Sequence, residues 1–211
     1  RPTRAFLSAL GIAIGIAAMI SVVGISASSR AQLAAQLDSL GTNLLTATAG
    51  QDLFGNSSSL PQDAVGKVRL IDNVQSASST GLVKNSLVYR TPFIDKNASG
   101  GITTLAADKS LLDVVAGQVD KGTWLNEATS QYPATVLGQM AAQRLGVVSP
   151  GTKVWLGGSW FTVVGILKPV VLAPELNNAA LVGQSVASSL LGHDAKPTTV
   201  YTRSQDAAVP T

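Results

Sequence analysis

The feature that most constrains this chain is an uncharged stretch of 25 residues near its start, at positions 5–29. Its first part, residues 5–25, contains only apolar side chains, glycine and two serines. A bilayer core about 30 Å thick requires about 20 apolar residues in a helix. The stretch therefore predicts a transmembrane helix, which we place within residues 1–28 together with a short N-terminal tail.

Two basic residues, Arg1 and Arg4, precede this stretch, and all twelve acidic residues follow it. Positive charge beside a membrane helix favours the cytoplasmic side, so we expect the N-terminus in the cytoplasm and the rest of the chain outside. A cleavable signal peptide is the alternative, because residues 26–28 are small. The apolar region of a signal peptide spans only about 7–15 residues, however, so the longer stretch in this chain favours a membrane helix.

Small residues recur within the predicted membrane helix. Gly11 and Gly15 are four apart, a spacing that lets another helix approach closely in lipid. We therefore expect this helix to pack against partner helices and lipid. Its glycines and alanines are also common in any membrane helix, which is the alternative interpretation.

The helical pattern continues beyond the membrane segment. In residues 29–41 the leucines Leu33, Leu37 and Leu40 form one apolar stripe at helical spacing. A continuous helix over residues 5–40 would be roughly 54 Å long and would act as a stiff stalk. We expect the next three residues to form a hinge between the stalk and the domain that follows. These are Gly41, Thr42 and Asn43.

Composition excludes several classes of function. The chain has no cysteine and one histidine, so a disulfide scaffold and a multi-histidine metal site are excluded. A net charge of +3 is too small for a nucleic-acid-binding protein. No phosphate-binding motif of the P-loop type occurs, so we expect no cofactor in this chain. His193, beside Asp194, is expected to be a solvated loop residue, and no catalytic constellation is predicted.

Residues 42–211 alternate between short strands and short helices, which predicts a mixed α/β domain of the α+β or α/β class. The clearest element is a hairpin around Gly157 and Gly158, and residues 74–79 and 82–89 are expected to pair with each other. The predicted strands are residues 44–48, 74–79, 82–89, 102–106, 134–137, 153–156, 160–167, 180–182 and 198–202. The predicted helices are residues 61–70, 110–116, 139–145 and 184–191.

Several segments in order resemble one protein family. The start, LSALGIAIGIAAMISVVGIS followed by LDSLGTNLLTATAG, is similar to the start of MacB-type, or FtsX-like, ABC transporter permeases. Residues 40–44 are the most specific match. Residues 136–146 resemble the strand and helix of that family, and residues 151–169 resemble its hairpin. The resemblance is weakest over about residues 85–131, where it leaves room for a small inserted lobe.

The resemblance implies a fold and a function. Residues 42–211 would be the extracytoplasmic core domain, in the periplasm or the cell-wall space, of a cell-membrane permease subunit that is not an enzyme. ATP would be bound by a partner ATP-binding ABC subunit, and a second permease copy would complete a homodimer or a related heterodimer. An extracytoplasmic partner protein is also compatible with this interpretation.

In such permeases, ATP-driven movement of membrane helices is conveyed to the outer domain, which is called mechanotransmission. The substrate would be an antibiotic, a peptide or a lipoprotein. The sequence also leaves open a membrane-anchored enzyme or regulator of enzymes acting on the cell wall, and a single-pass binding domain. Further hydrophobic segments after the domain would favour the permease.

Overall fold

The computed structural model describes residues 11, 13–17, 19–21, 24, 28, 43–50, 58–95 and 100–204. The chain divides into two compact units, Arg1–Thr42 and Asn43–Thr211. In the first unit the described residues are helical, and large apolar side chains such as Ile14 and Met19 are exposed. Within the described part of the chain, none of the helices has the length and apolar character needed to cross a bilayer. The transmembrane helix therefore stays a prediction.

The second unit is built on one mixed sheet. Its order is β1-β10-β2-β4-β9-β6-β8-β7-β3, with β5 paired to β8. β4 and β9 are parallel, as are β6 and β8, and the other pairs are antiparallel. The strands are β1 (Leu44–Thr48), β2 (Val74–Leu82), β3 (Val88–Tyr89), β4 (Thr103–Ala107), β5 (Val119–Gly122), β6 (Ala134–Leu137), β7 (Lys153–Leu156), β8 (Ser159–Leu167), β9 (Ala179–Gly183) and β10 (Thr199–Ser204).

Short helices connect the strands. They are α1 (Ala64–Arg69), α2 (Leu111–Val114), α3 (Gln139–Arg144), a 3-10 helix (Pro174–Asn178) and α4 (Gln184–Leu191). Two hydrophobic clusters form the core. One includes buried residues of α3 and α4, and the other includes those of α2 and the 3-10 helix. Because side chains alternate along each strand, the two clusters lie on opposite faces of the sheet. The predicted mixed α/β domain is thus confirmed.

The sequences of the central strands β6 and β9 are mostly apolar, as expected for strands that are covered on both faces of the sheet. Every residue of both strands is buried. In β9, Leu181 belongs to one hydrophobic cluster and Val182 to the other. Strands covered on both faces consist of continuous apolar residues rather than alternating ones.

The predicted hairpin is confirmed. β7 and β8 pair antiparallel around Gly157 and Gly158, which have φ values of 54° and 88°. A two-residue turn of this kind requires positive φ at both positions, which glycine adopts without strain. Trp155 and Trp160 face each other across the two strands, with ring centroids 5.4 Å apart and nearly perpendicular planes. This geometry is the expected cross-strand packing.

The prediction that residues 74–79 pair with residues 82–89 is wrong. Residues 74–82 form one strand, β2, which lies between β10 and β4, whereas β3 pairs with β7. Gly81 continues β2 instead of ending it. A side chain there would overlap the ring of His193, so the glycine marks a close approach rather than a turn.

Residues 85–131 are the stretch where the resemblance left room for an inserted lobe. Its described residues include β3, β4, α2 and β5, and all three strands belong to the same sheet as the rest of the domain. These strands therefore extend the main sheet, and the inserted lobe stays a prediction. The sequence showed no clear pattern for β5, which is short and mostly exposed.

Candidate functional site

Only some of the predicted functional residues lie in the described part of the chain. Gly11 and Gly15 are helical, and no described atom lies within 4 Å of a side chain built at either position. Their packing role therefore stays a prediction. The stalk leucines and the first two hinge residues lie outside the described residues, and these are Leu33, Leu37, Leu40, Gly41 and Thr42.

Asn43, the last of the predicted hinge residues, lies where the chain enters the domain. It is buried, and its Nδ2 donates a hydrogen bond to the carbonyl oxygen of Ser204 at 2.7 Å. The backbone N–H of Ser204 donates in return to the carbonyl oxygen of Asn43 at 3.0 Å. We call this joined pair, at the adjacent ends of β1 and β10, the root of the domain. The first and last residues of the sheet thus meet at one place.

Arg203 connects the root to the body of the domain. Its Nε donates a hydrogen bond to the carbonyl oxygen of Val114, the last residue of α2, at 3.0 Å. Its Nη1 lies 3.5 Å from Oδ1 of Asn43. The guanidinium group therefore links β1, β10 and α2. The sequence TVYTRS indicates only a strand at this position, so this role was not predicted.

Tyr201 makes a second connection from β10 into the core. Its side chain is fully buried, and its hydroxyl donates a hydrogen bond to Oε1 of Glu175 in the 3-10 helix. Burial raises the pKa of Tyr201, and the hydrogen bond to Glu175 raises it further. The tyrosine thus stays neutral and keeps its proton for the bond. The two residues are 26 positions apart, and no sequence pattern predicts this pair.

A cavity of about 410 Å³ lies away from the root, beside the end of α4. Its lining includes side chains from β2, from the loop after β2 and from the loop after α4. Polar and charged residues dominate the lining, and they include Lys84, Asn85, His193, Asp194 and Lys196. The sequence did not single out this group, because residues 82–86 and 190–196 are far apart along the chain.

His193 is a correction to the sequence-based expectation. Its side chain is only 3% exposed, so it is not a solvated loop residue. Gly192 ends α4 in the left-handed conformation, and the N–H of His193 donates to the carbonyl oxygen of Ala187 at 3.0 Å. This helix end directs the ring against Gly81, which has no side chain to exclude it.

The electrostatics of His193 favour its neutral form. Burial lowers the pKa of His193, while the nearby carboxylate of Asp194 acts in the opposite direction. Its Nδ1 lies 3.8 Å from Oδ1 of Asp194, which is too far for a hydrogen bond, and its Nε2 is buried without a partner. The pair therefore lacks the base–orienter bond of a catalytic triad. Among the described residues, no group of acids and histidine could hold a metal ion.

Comparison with known proteins agrees with this fold. Residues 5–209 match the family described as MacB-like periplasmic core domain, and the chain therefore belongs to that family. A relative from Chlorobaculum tepidum, a macrolide export ATP-binding/permease protein MacB, is 26% identical over 150 residues, or 67% of this chain. That match covers only 22% of the relative.

Two solved structures share the fold. The periplasmic region of MacB from Actinobacillus actinomycetemcomitans aligns with a TM-score of 0.58 at 15% identity, covering 82% of this chain and 78% of that one. The extracellular domain of the ABC-type transporter YknZ, from Gram-positive bacteria, aligns with a TM-score of 0.57 at 20% identity, covering 78% and 85%. These likenesses show the fold, and the family match over residues 5–209 identifies the bulk of this chain as a MacB-like periplasmic core domain, as the sequence predicted.

Proposed function

We propose that this chain conveys the movement of membrane helices to an extracytoplasmic domain, as part of an ABC transporter that exports or extracts a substrate. Membership of the periplasmic core domain family supports the proposal. The name of the Chlorobaculum tepidum relative, which joins an ATP-binding part to a permease, supports an ATP-binding partner. We further propose a second permease copy as a partner and an antibiotic, a peptide or a lipoprotein as the substrate.

The root is the observation that carries this proposal. Asn43 and Ser204 are hydrogen-bonded neighbours although 161 residues separate them. Because the two ends of the domain meet at the root, a force applied there acts on both. A displacement of β1, where the chain enters the domain, is passed directly to β10, where the chain leaves it. Arg203 and Tyr201 then connect that strand to α2 and to the 3-10 helix.

The direction of the strands makes the root the weak point under load. β1 and β10 are antiparallel, and their ladder runs from the Leu44 and Arg203 pair to the Thr48 and Thr199 pair. If the two ends are pulled apart, the backbone hydrogen bonds break one after another, beginning next to Asn43. The side-chain bond of Asn43 lies at this first position, so it keeps the two ends moving together.

The proposal is tested in the full permease with its ATPase, by measuring ATP hydrolysis and export in the same membranes. Asn43→Ala is expected to leave ATP hydrolysis in place and to lower export, because the root opens before the domain moves. Asn126→Ala is the matched control. Asn126 also bonds to the backbone, accepting from the N–H of Thr129 at 2.9 Å, but in an exposed loop.

The hinge and stalk offer a second test in the same assay. Gly41→Pro, or two glycines inserted near Arg30, is expected to uncouple ATP hydrolysis from export, because the proline fixes the backbone of the predicted hinge and the insertion interrupts the predicted continuous helix. Unchanged export in the Asn43, Gly41 and insertion variants would refute a lever that acts through the root.

A further inference from the structure

The charged side chains that line the cavity beside α4 favour a negatively charged ligand. Lys84 and Lys196 both line the cavity, and Asp194 is the one acidic residue among the described residues of the lining. The carboxylate of Asp194 is already engaged, because Oδ1 accepts from the N–H of Lys196 at 3.1 Å and Oδ2 lies 3.7 Å from Nζ of Lys196. The backbone hydrogen bond from Lys196 lowers the pKa of Asp194, so this carboxylate stays ionised.

Because Asp194 pairs with Lys196, the positive charge of Lys84 is not neutralised by an acidic residue of the described lining. Lys84 makes no ion pair or side-chain hydrogen bond with any residue that the structure describes. Its exposed ammonium carries three hydrogen-bond donors and no acceptor. A negatively charged ligand in the cavity would therefore meet an uncompensated positive charge.

The remaining polar groups of the lining extend this donor set. Ser58, Ser59 and Asn85 each present a side chain that can donate, and none has a side-chain partner among the described residues. Leu190 and Leu191 at the end of α4 add an apolar part to the same lining, and Leu190 is half exposed. The cavity thus combines a positive, donor-rich part with a small aliphatic wall.

From this combination we infer that the cavity binds a small carboxylate that carries a short aliphatic group. The carboxylate accepts hydrogen bonds from Lys84 and the neighbouring donors, and the aliphatic group lies against the two leucines. A volume of about 410 Å³ suits a ligand of this size. A metal cation is disfavoured, because the one carboxylate already pairs with Lys196.

His193 provides a direct report on the cavity. It is the only histidine of the chain, and its buried ring lines the cavity. Its imidazole resonance therefore belongs to this site without further assignment. The inference concerns the domain itself, so it does not depend on whether the domain transmits movement.

The experiment is a titration of the full chain in a non-ionic detergent at about pH 8, where histidine is neutral. Histidine-labelled protein is titrated with N-acetyl-leucine, with its neutral analogue N-acetyl-leucinamide and with inorganic phosphate. We expect N-acetyl-leucine to shift the His193 resonance to saturation. The amide is expected to bind about tenfold more weakly, as is typical for the loss of a charge-assisted hydrogen bond.

Variants then test the role of Lys84. Lys84→Met is expected to weaken N-acetyl-leucine binding by about tenfold or more, and Lys84→Arg to retain it, because the positive charge remains. Lys153→Met removes another exposed lysine, on β7 outside the cavity lining, and is expected to leave binding unchanged.

Four results would overturn the inference. They are the absence of saturation with N-acetyl-leucine, equal affinity for the amide, equal affinity for phosphate, and equal losses in Lys84→Met and Lys153→Met. The comparison of acid with amide uses the unmodified protein, so it remains decisive even if a variant fails to fold.

Discussion

The centre of the sheet and its β1 edge are stabilised in different ways. Every residue of β9 is buried between two hydrophobic clusters, whereas four of the five residues of β1 are exposed. The centre therefore depends on apolar burial. The β1 edge depends on its ladder to β10 and on polar side chains at the root. The difference shows that the place where the chain enters the domain can change without disturbing the core.

The largest expected effect compares two leucines. Leu181 in β9 is fully buried, whereas Leu45 in β1 is 71% exposed. Leu181→Ala is expected to lower the free energy of unfolding by about 2–5 kcal/mol, because it leaves a cavity between packed neighbours. Leu45→Ala is expected to change it by less than about 0.5 kcal/mol. Urea unfolding measures both, and equal losses would contradict the comparison.

A second comparison uses two glycines. Gly81→Ala is expected to destabilise the domain by about 1–3 kcal/mol, because the new Cβ would overlap the ring of His193 and lie 2.9 Å from the carbonyl oxygen of Lys196. Gly66 in α1 has no described atom near its missing side chain. Gly66→Ala is therefore expected to stabilise α1 by roughly 0.5–1 kcal/mol. Thermal unfolding distinguishes the two, and a harmless Gly81→Ala would show that the His193 ring yields easily.

His193 is expected to make the stability of the domain depend on pH, unlike the apolar residues of the core. Because burial lowers the pKa of His193 below its usual 6.5, the folded domain binds this proton less readily than the unfolded chain does. The stability from the neutral ring is complete above about pH 6.5 and declines as the pH falls towards the lower folded pKa. Asp194 keeps its charge in this window, because its own pKa is lowered from 3.8.

The measurement is the free energy of unfolding between about pH 8 and pH 5, for the unmodified chain and for His193→Gln. The glutamine variant removes the one group expected to titrate here. Its stability should therefore be flatter with pH than that of the unmodified chain. Parallel curves would show that His193 is not the source of the dependence.

The smallest expected effect is at the root. Asn43→Ala removes the Nδ2 hydrogen bond to Ser204 but leaves the backbone bond between the same two residues. A net loss of about 0.5–1.5 kcal/mol is expected in urea unfolding. In hydrogen-exchange measurements on this variant, the backbone amides of β1 should exchange before those of β9. Simultaneous exchange in both strands would show that the edge and the centre open together.

Local elements were predicted well where their chemistry is local. The glycine pair at 157–158, the apolar run of β6 and the helix Gln184–Leu191 were all recognised with nearly correct bounds. The error at residues 74–89 has a different origin. The prediction ended one strand at residue 79 and began the next at residue 82, whereas Gly81 lies within β2 because the ring of His193, from a distant part of the chain, leaves no room for a side chain there.

By itself, the sequence determined most of the strands and helices, and the family, because hydrophobic periodicity, turn residues and ordered motifs are properties of neighbouring positions. It also predicted a membrane helix, a stalk and a hinge, of which the structure describes Asn43 and helical residues between positions 11 and 28. Only the tertiary structure decided that Asn43 meets Ser204 and that His193 is buried beside an unpaired lysine. Those contacts depend on sheet order, which brings together residues as far as 161 positions apart.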